Sequence, residues 1–219
     1  MPEGDNMENT DKEKMLVGMY LGAIVIANLV VAKWGLDVVV DLGGPIGQLQ
    51  VLFFTSLLLI GLDLTSRDFL HEMWKENLWE NMLKLIVAGS LLSLVVNFFL
   101  KLVGWDAAPW DFAKAVALGS TIAFFCAGIA DTYIYQLLGG RERLLRINGS
   151  NVVSGFVDSL VFPTLAFGIF LPFFAGFDMD IAKAIDWNIT GQMTAAKIIG
   201  GFIWAFGIVK LAQVMGMED

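Results

Sequence analysis

The stretch VVSGFVDSLVFPTLAFGIFLPFFAGF, Val152–Phe177, sets a single carboxylate, Asp158, inside an apolar run of membrane-spanning length. A hydrocarbon core about 30 Å thick takes about 20 helical residues to cross, so this run spans it as a helix. A carboxylate at such depth costs several kcal/mol unless it is paired, solvated by a cavity or protonated, which makes Asp158 a functional candidate. Asn151, Ser154 and Asp158 fall at i, i+3 and i+7 and so share one stripe of that helix. Pro163 removes a backbone donor and clashes with the carbonyl of Ser159, which predicts a broken or kinked helix beside the carboxylate. Such breaks line protein or a watery cavity in transporters, although a kink that only shapes packing reads the same way. Pro172 offers a second kink.

The rest of the chain has the same character. Hydrophobic residues make up 57% of 219 positions against 16% charged, and the mean hydropathy is +0.68. This is the composition of an integral membrane protein, not of a soluble domain. Six apolar segments are long enough to be spans: Leu16–Trp34, Leu49–Leu64, Met82–Val103, Ala113–Leu138, Val152–Phe177 and Ala195–Met215. The fold class is therefore all-α, a six-helix bundle over residues 15–217. The second segment is short, and is expected to borrow from Ile46–Gln50, to thin the bilayer or to stand upright. Residues 1–14 are polar and acidic and are expected to be disordered. They lack a signal-peptide cleavage pattern, so the first apolar segment is expected to stay.

Lys12, Lys14, Arg67, Lys75, Arg141, Arg143, Arg146 and Lys210 fall on one side of a six-span chain. On the other side Lys33, Lys101, Lys114 and Lys183 are mixed with Asp37, Asp41, Asp106, Asp111, Asp178, Asp180 and Asp186. Both termini are then cytoplasmic. Trp34, Trp74, Trp79, Trp105, Trp110 and Trp187 suit interfacial anchors. The net charge of −8 and the missing basic face exclude nucleic acid as a partner. The lipid bilayer is the surrounding medium.

With this topology Asp63, Asp131 and Asp158 converge in the cytoplasmic half, with Arg67, Arg146, Asn151 and Ser154 at nearby depth. Asp63 and Arg67 are an i, i+4 pair that equally fits a structural role at the end of span two. Asn28 and Asn97 read as glue between spans, contributing about 1 kcal/mol. Cys126 is the only cysteine, so there is neither an intrachain disulfide nor a Cys-based metal site. His71 is the only histidine and falls in the polar run Arg67–Glu72 after span two, which excludes a cluster of histidines around a metal. No phosphate-binding Gly-Lys-Ser/Thr loop is present, so the chain does not hydrolyse ATP itself. Nothing calls for a cofactor, and no catalytic residue stands out: the chain is not expected to be an enzyme.

Three runs carry a resemblance: Gly61-Leu-Asp-Leu-Thr-Ser-Arg67, Gly128-Ile-Ala-Asp131 followed by Tyr133-Ile-Tyr-Gln136, and Asn148-Gly-Ser-Asn151-Val-Val-Ser154-Gly-Phe-Val-Asp158-Ser159. Together they resemble the VUT family of vitamin-uptake and queuosine-precursor transporters, most specifically through Ser-Asn-x-x-Ser-x-x-x-Asp-Ser. The resemblance runs from span one to span six. It implies uptake of a deazapurine substrate, a 7-deazaguanine such as 7-cyano-7-deazaguanine, across the inner (cytoplasmic) membrane. It also implies that Asp63, Arg67, Asp131, Asn151, Ser154 and Asp158 line the path. A carboxylate suits the adjacent N–H donors of a guanine-like edge, with a ring from Phe124, Phe125 or Phe156 stacking on the base. Energy by proton, by metabolic trapping or by an ATPase partner remains open, as does a homo-oligomer. The alternative is a substrate-binding membrane subunit of an energy-coupling-factor-type vitamin transporter, which needs that ATPase partner. The segment around Asp37, Asp41 and Gly43-Gly-Pro45 fits a lid or a plain connector.

Overall fold

A computed structural model describes residues 3–34, 39–41, 48–74, 77–105, 109–178 and 184–214. The chain is built as six helical rods. The first is α1, Glu3–Trp34; a small antiparallel hairpin of β1, Val39–Asp41, and β2, Gln48–Gln50, leads to the second. That rod joins α2, Val51–Thr55, to α3, Gly61–Met73, through a π-helical stretch at Ser56–Ile60. Then come α4, Leu78–Leu102, and α5, Trp110–Leu137. The fifth rod is α6, Arg143–Pro163, continued by π-helical Thr164–Phe170 into α7, Leu171–Ala175; α8, Trp187–Val214, is the sixth.

The expected all-α membrane architecture is present. Among the described residues, Thr10–Val30, Leu78–Leu102, Trp110–Leu137 and Leu145–Ala175 are long and apolar enough to cross a membrane by themselves. The second rod is more polar because α3 carries Asp63, Arg67, Asp68 and His71, while the apolar sixth rod buries one charge, Lys197. The rods are inside-out relative to a soluble bundle. On α4 the outward side presents Leu83, Val87, Leu91, Val95, Phe99 and Leu102, while Ser90, Ser93 and Asn97 are buried. Spacing of three and four residues gives each set its own face, and an apolar outside suits lipid. Two buried apolar clusters close the interior, one around Leu16, Tyr20, Ile24, Leu70, Met82, Leu85 and Phe124, the other around Val116, Ala123, Phe162, Ala166 and Met193.

Four expectations change. The second rod gains its length at its far end, running on to Met73, while Gln48–Gln50 is strand. The Arg67–Glu72 run is therefore helix rather than loop, and His71 is buried in it. The stretch expected to be disordered, residues 1–14, is helical from Glu3 onward, and Glu13 accepts a hydrogen bond from Trp74 Nε1 at 2.9 Å. Its Glu, Lys, Met and Asn residues simply extend a helix already nucleated by the first span. Pro163 does not break its rod: the helix widens there to π geometry and continues, which accommodates the missing donor without freeing the chain. Most of the proposed lid segment around Asp37 and Gly43-Gly-Pro45 lies outside the described residues.

The second and sixth rods meet backbone to backbone. A Cβ on Gly61 would stand 2.6 Å from the carbonyl carbon of Gly200, and one on Gly200 would run into the carbonyl of Leu57. Trp204 Nε1 donates to the carbonyl of Leu58 at 2.6 Å across the same contact. Gly200→Val is expected to destabilise the purified chain by about 3 kcal/mol, the upper end for overpacking. Gly207, exposed on the same helix, serves as control: Gly207→Val is expected to stay within about 0.5 kcal/mol in the same unfolding measurement.

Candidate functional site

The interior faces of α3, α5, α6 and α8 carry the polar residues in helical register. Asp63, Arg67 and His71 follow each other by four on α3, with Asp68 beside them; Asp131, Thr132 and Tyr135 sit on α5; Ser150, Asn151, Ser154, Asp158 and Ser159 on α6; Lys197 on α8. All are buried. They form a column along α6: twelve residues separate Arg146 from Asp158, about 18 Å of helix.

At one end of the column the Lys197 ammonium pairs with Asp158 Oδ2 and donates to Ser159 Oγ at 3.0 Å. Ser159 in turn donates to the Gly155 carbonyl at 2.7 Å. The pair forms part of the wall of a cavity with about 50 Å³ open to the centres of water molecules. Its apolar wall is Ile60, Val116, Phe124, Phe162 and Met193, and its other polar groups are Asn28, Thr55, Ser56 and Ser120. Ser56 and Ile60 belong to the π-helical stretch of the second rod, the kind of widened turn that recurs at functional sites. The space suits a few waters. A bicyclic base enters only if the rods separate.

One layer away Arg67 Nη2 lies 3.6 Å from Asp63 Oδ2, with both side chains buried. Arg67 Nε and Asp63 Oδ1 have no hydrogen-bond partner. Next, Ser154 donates to Asp131 Oδ1 at 3.3 Å, and Asn151 Nδ2 donates to Asp68 Oδ2 at 2.6 Å. Asn151 Oδ1 and Asp131 Oδ2 are likewise without partners. A buried polar atom left unpaired costs about 1–3 kcal/mol, and several of them fall along this one column. At the other end Glu72 accepts from Tyr135 Oη at 3.0 Å and from Arg146 Nη2 at 3.1 Å.

The six residues singled out from the sequence are thus all interior and all in the column, although only Asp158 touches the cavity. Asn28 and Asn97 do join spans, with Asn97 Nδ2 donating to Asn28 Oδ1 at 2.5 Å and Ser93 donating to the same oxygen at 3.3 Å. Of the three candidate stacking rings only Phe124 is inside; Phe125 and Phe156 are about 40% exposed on outward faces. Lys197, Asp68 and His71 were missed as site residues. Lys197 has a signal in the sequence, a lone cation ten residues into the apolar stretch that begins at Trp187. Donor atoms of Asp68, His71 and Asp131 lie within 4.8 Å of one another, the one such group among the described residues that could hold a metal ion.

Residues 56–214 match the family described as "Putative vitamin uptake transporter". No curated protein and no solved structure was found to match the chain.

Proposed function

Because this chain belongs to the vitamin uptake transporter family, we propose that it carries a 7-deazaguanine precursor of queuosine type inward across the cytoplasmic membrane. The observation that carries this reading is the buried Asp158–Lys197 pair on the wall of a cavity flanked by Phe124 and Phe162. A guanine-like edge presents two adjacent N–H donors and a carbonyl. Asp158 accepts from the donors, Lys197 donates to the carbonyl, and the phenyl rings cover the faces of the bicycle. Each group of the pair thereby exchanges one partner for another and neither is left bare at depth, which keeps the low-dielectric cost of the exchange small.

In this reading Asn28 and Ser120 read the substituent side of the base, and Arg67, Asp63, Asn151, Ser154 and Asp131 give the solute successive polar partners toward the Glu72–Arg146 end. With both termini cytoplasmic, that end opens into the cell. The two π-helical stretches mark where the second and fifth rods bend to open the cavity.

The test is uptake of labelled 7-cyano-7-deazaguanine and its aminomethyl relative by cells unable to make them. Saturable uptake that depends on this chain is expected, reduced at least tenfold by Phe124→Ala and unchanged by Phe125→Ala. No uptake by a well-inserted chain would remove the deazaguanine class. Tight binding by the purified chain without transport in vesicles would instead identify a substrate-binding subunit that works with an ATPase partner.

A further inference from the structure

The basic groups of the column are taken one by one: Arg67 by Asp63, Lys197 by Asp158, Arg146 by Glu72. Among the described residues no lysine or arginine forms an ion pair within 4 Å of Asp68 or Asp131; Arg67, already paired with Asp63, acts on both from farther off. Two fully buried carboxylates are therefore left beside one another, and the side chain between them is His71. Its Nδ1 lies 3.9 Å from Asp68 Oδ1 and 3.9 Å from Asp131 Oδ2.

The orientation of the imidazole follows from its other nitrogen. Thr132 spends its hydroxyl proton on the Gly128 carbonyl at 2.9 Å, so its oxygen accepts from His71 Nε2, 3.3 Å away. Nε2 then carries the hydrogen, and Nδ1 turns a lone pair toward the two carboxylates. Stacking on Tyr135, with ring centroids 4.5 Å apart, fixes the ring plane. Both Nδ1 and Asp131 Oδ2 are buried with no hydrogen-bond partner.

A lone pair facing two anions repels them, yet at 3.9 Å the gap is too long for a shared proton to close as a direct hydrogen bond. It is the right width for an ion. The third edge is within 4.8 Å, so the point equidistant from the three atoms lies up to about 2.5 Å from each, a few tenths of an ångström beyond the ~2.0–2.2 Å of metal bonds to imidazole nitrogen and carboxylate oxygen. Ser154 on Asp131 Oδ1, Asn151 and Ser150 on Asp68, and Thr132 on His71 supply the outer hydrogen bonds that orient metal ligands.

We propose that Asp68, His71 and Asp131 bind one divalent transition-metal cation, of the zinc or manganese type, that ties α3 to α5 in the part of the polar column next to the Glu72–Arg146 end. One nitrogen and two carboxylate oxygens suit such ions and not an alkali metal, and the double positive charge balances the two unpaired carboxylates. The single histidine of the chain excludes a cluster of histidines, but not a site in which carboxylates supply the remaining ligands.

The experiment is equilibrium dialysis of the purified, chelator-treated full chain against Zn²⁺, Mn²⁺ or Co²⁺, with metal and protein both quantified. One saturable ion per chain is expected, with a rise in unfolding temperature, and Co²⁺ is expected to show ligand-field absorption. Asp131→Asn and Asp68→Asn are expected to lose the ion. Thr132→Val, which touches no metal, is expected to weaken binding 10- to 100-fold by releasing the imidazole. A monodisperse wild-type chain that binds none of the three ions at one equivalent overturns the proposal, as does equal binding by wild type and the Asp131→Asn, Asp68→Asn double variant. Neither result depends on which solute is carried.

Discussion

Asp158→Ala is expected to destabilise the folded chain by about 3–5 kcal/mol and to abolish transport, because it strands a fully buried ammonium. Lys197 has no exposure, and among the described residues its hydrogen bonds go to Asp158 and Ser159. Asp158→Asn keeps an acceptor for the ammonium, so it is expected to fold with a smaller loss while still failing to transport. Replacing both partners by neutral groups of similar size, Asp158→Asn with Lys197→Met, removes the unpaired charge. Its stability is expected to return to within about 1–2 kcal/mol of wild type, since a buried pair is commonly exchangeable for uncharged groups. Transport is expected to stay absent. Unfolding of the purified variants together with uptake by the same variants separates the two roles of the pair: recovery of both in the double variant would make the pair purely structural.

Arg67 is expected to give the second largest effect. The residue is 1% exposed, and one terminal nitrogen stands where Gly128 leaves room: a Cβ on Gly128 would lie 3.2 Å from Arg67 Nη1. Arg67→Lys preserves the charge but loses the planar fork, and is expected to cut uptake more than tenfold at modest cost to folding. Exchanging the pair, Asp63→Arg with Arg67→Asp, is expected not to restore function. The guanidinium would then start one helical turn away from the space at Gly128, and Asp131 would face a carboxylate instead. Full rescue by the exchange, read as uptake and as thermal stability, would reduce Asp63 and Arg67 to a clasp within α3.

The inside-out logic of the bundle explains which parts of it were legible in the sequence. Asp158 stood out because a charge in an apolar run has no ordinary explanation, and its stripe with Asn151 and Ser154 followed from helical spacing alone. Asp68 and His71 were hidden by the opposite bias. The run Arg67–Glu72 is polar enough to read as a loop, but buried polar partners on α5 and α6 let the helix continue through it to Met73. Lys197 was lost to a boundary. Two residues inside an expected start at Ala195 it resembles an interfacial lysine, whereas α8 begins at Trp187 and puts it deep inside. The π-helical stretches leave no trace in hydropathy, since widening a turn changes neither composition nor the lipid-facing side. Family resemblance and structure meet at residues 56–214, the region that holds the whole column; of the cavity's polar groups, Asn28 and Thr55 lie outside it.

The most direct measurement is uptake of labelled 7-cyano-7-deazaguanine into vesicles containing only the purified chain, with Asp158→Asn in parallel. Saturable uptake by wild type and none by the folded variant is the result expected of a transporter that reads its solute with the Asp158–Lys197 pair. Equal uptake by both, or displacement of the label by unrelated solutes as readily as by the unlabelled compound, would contradict it.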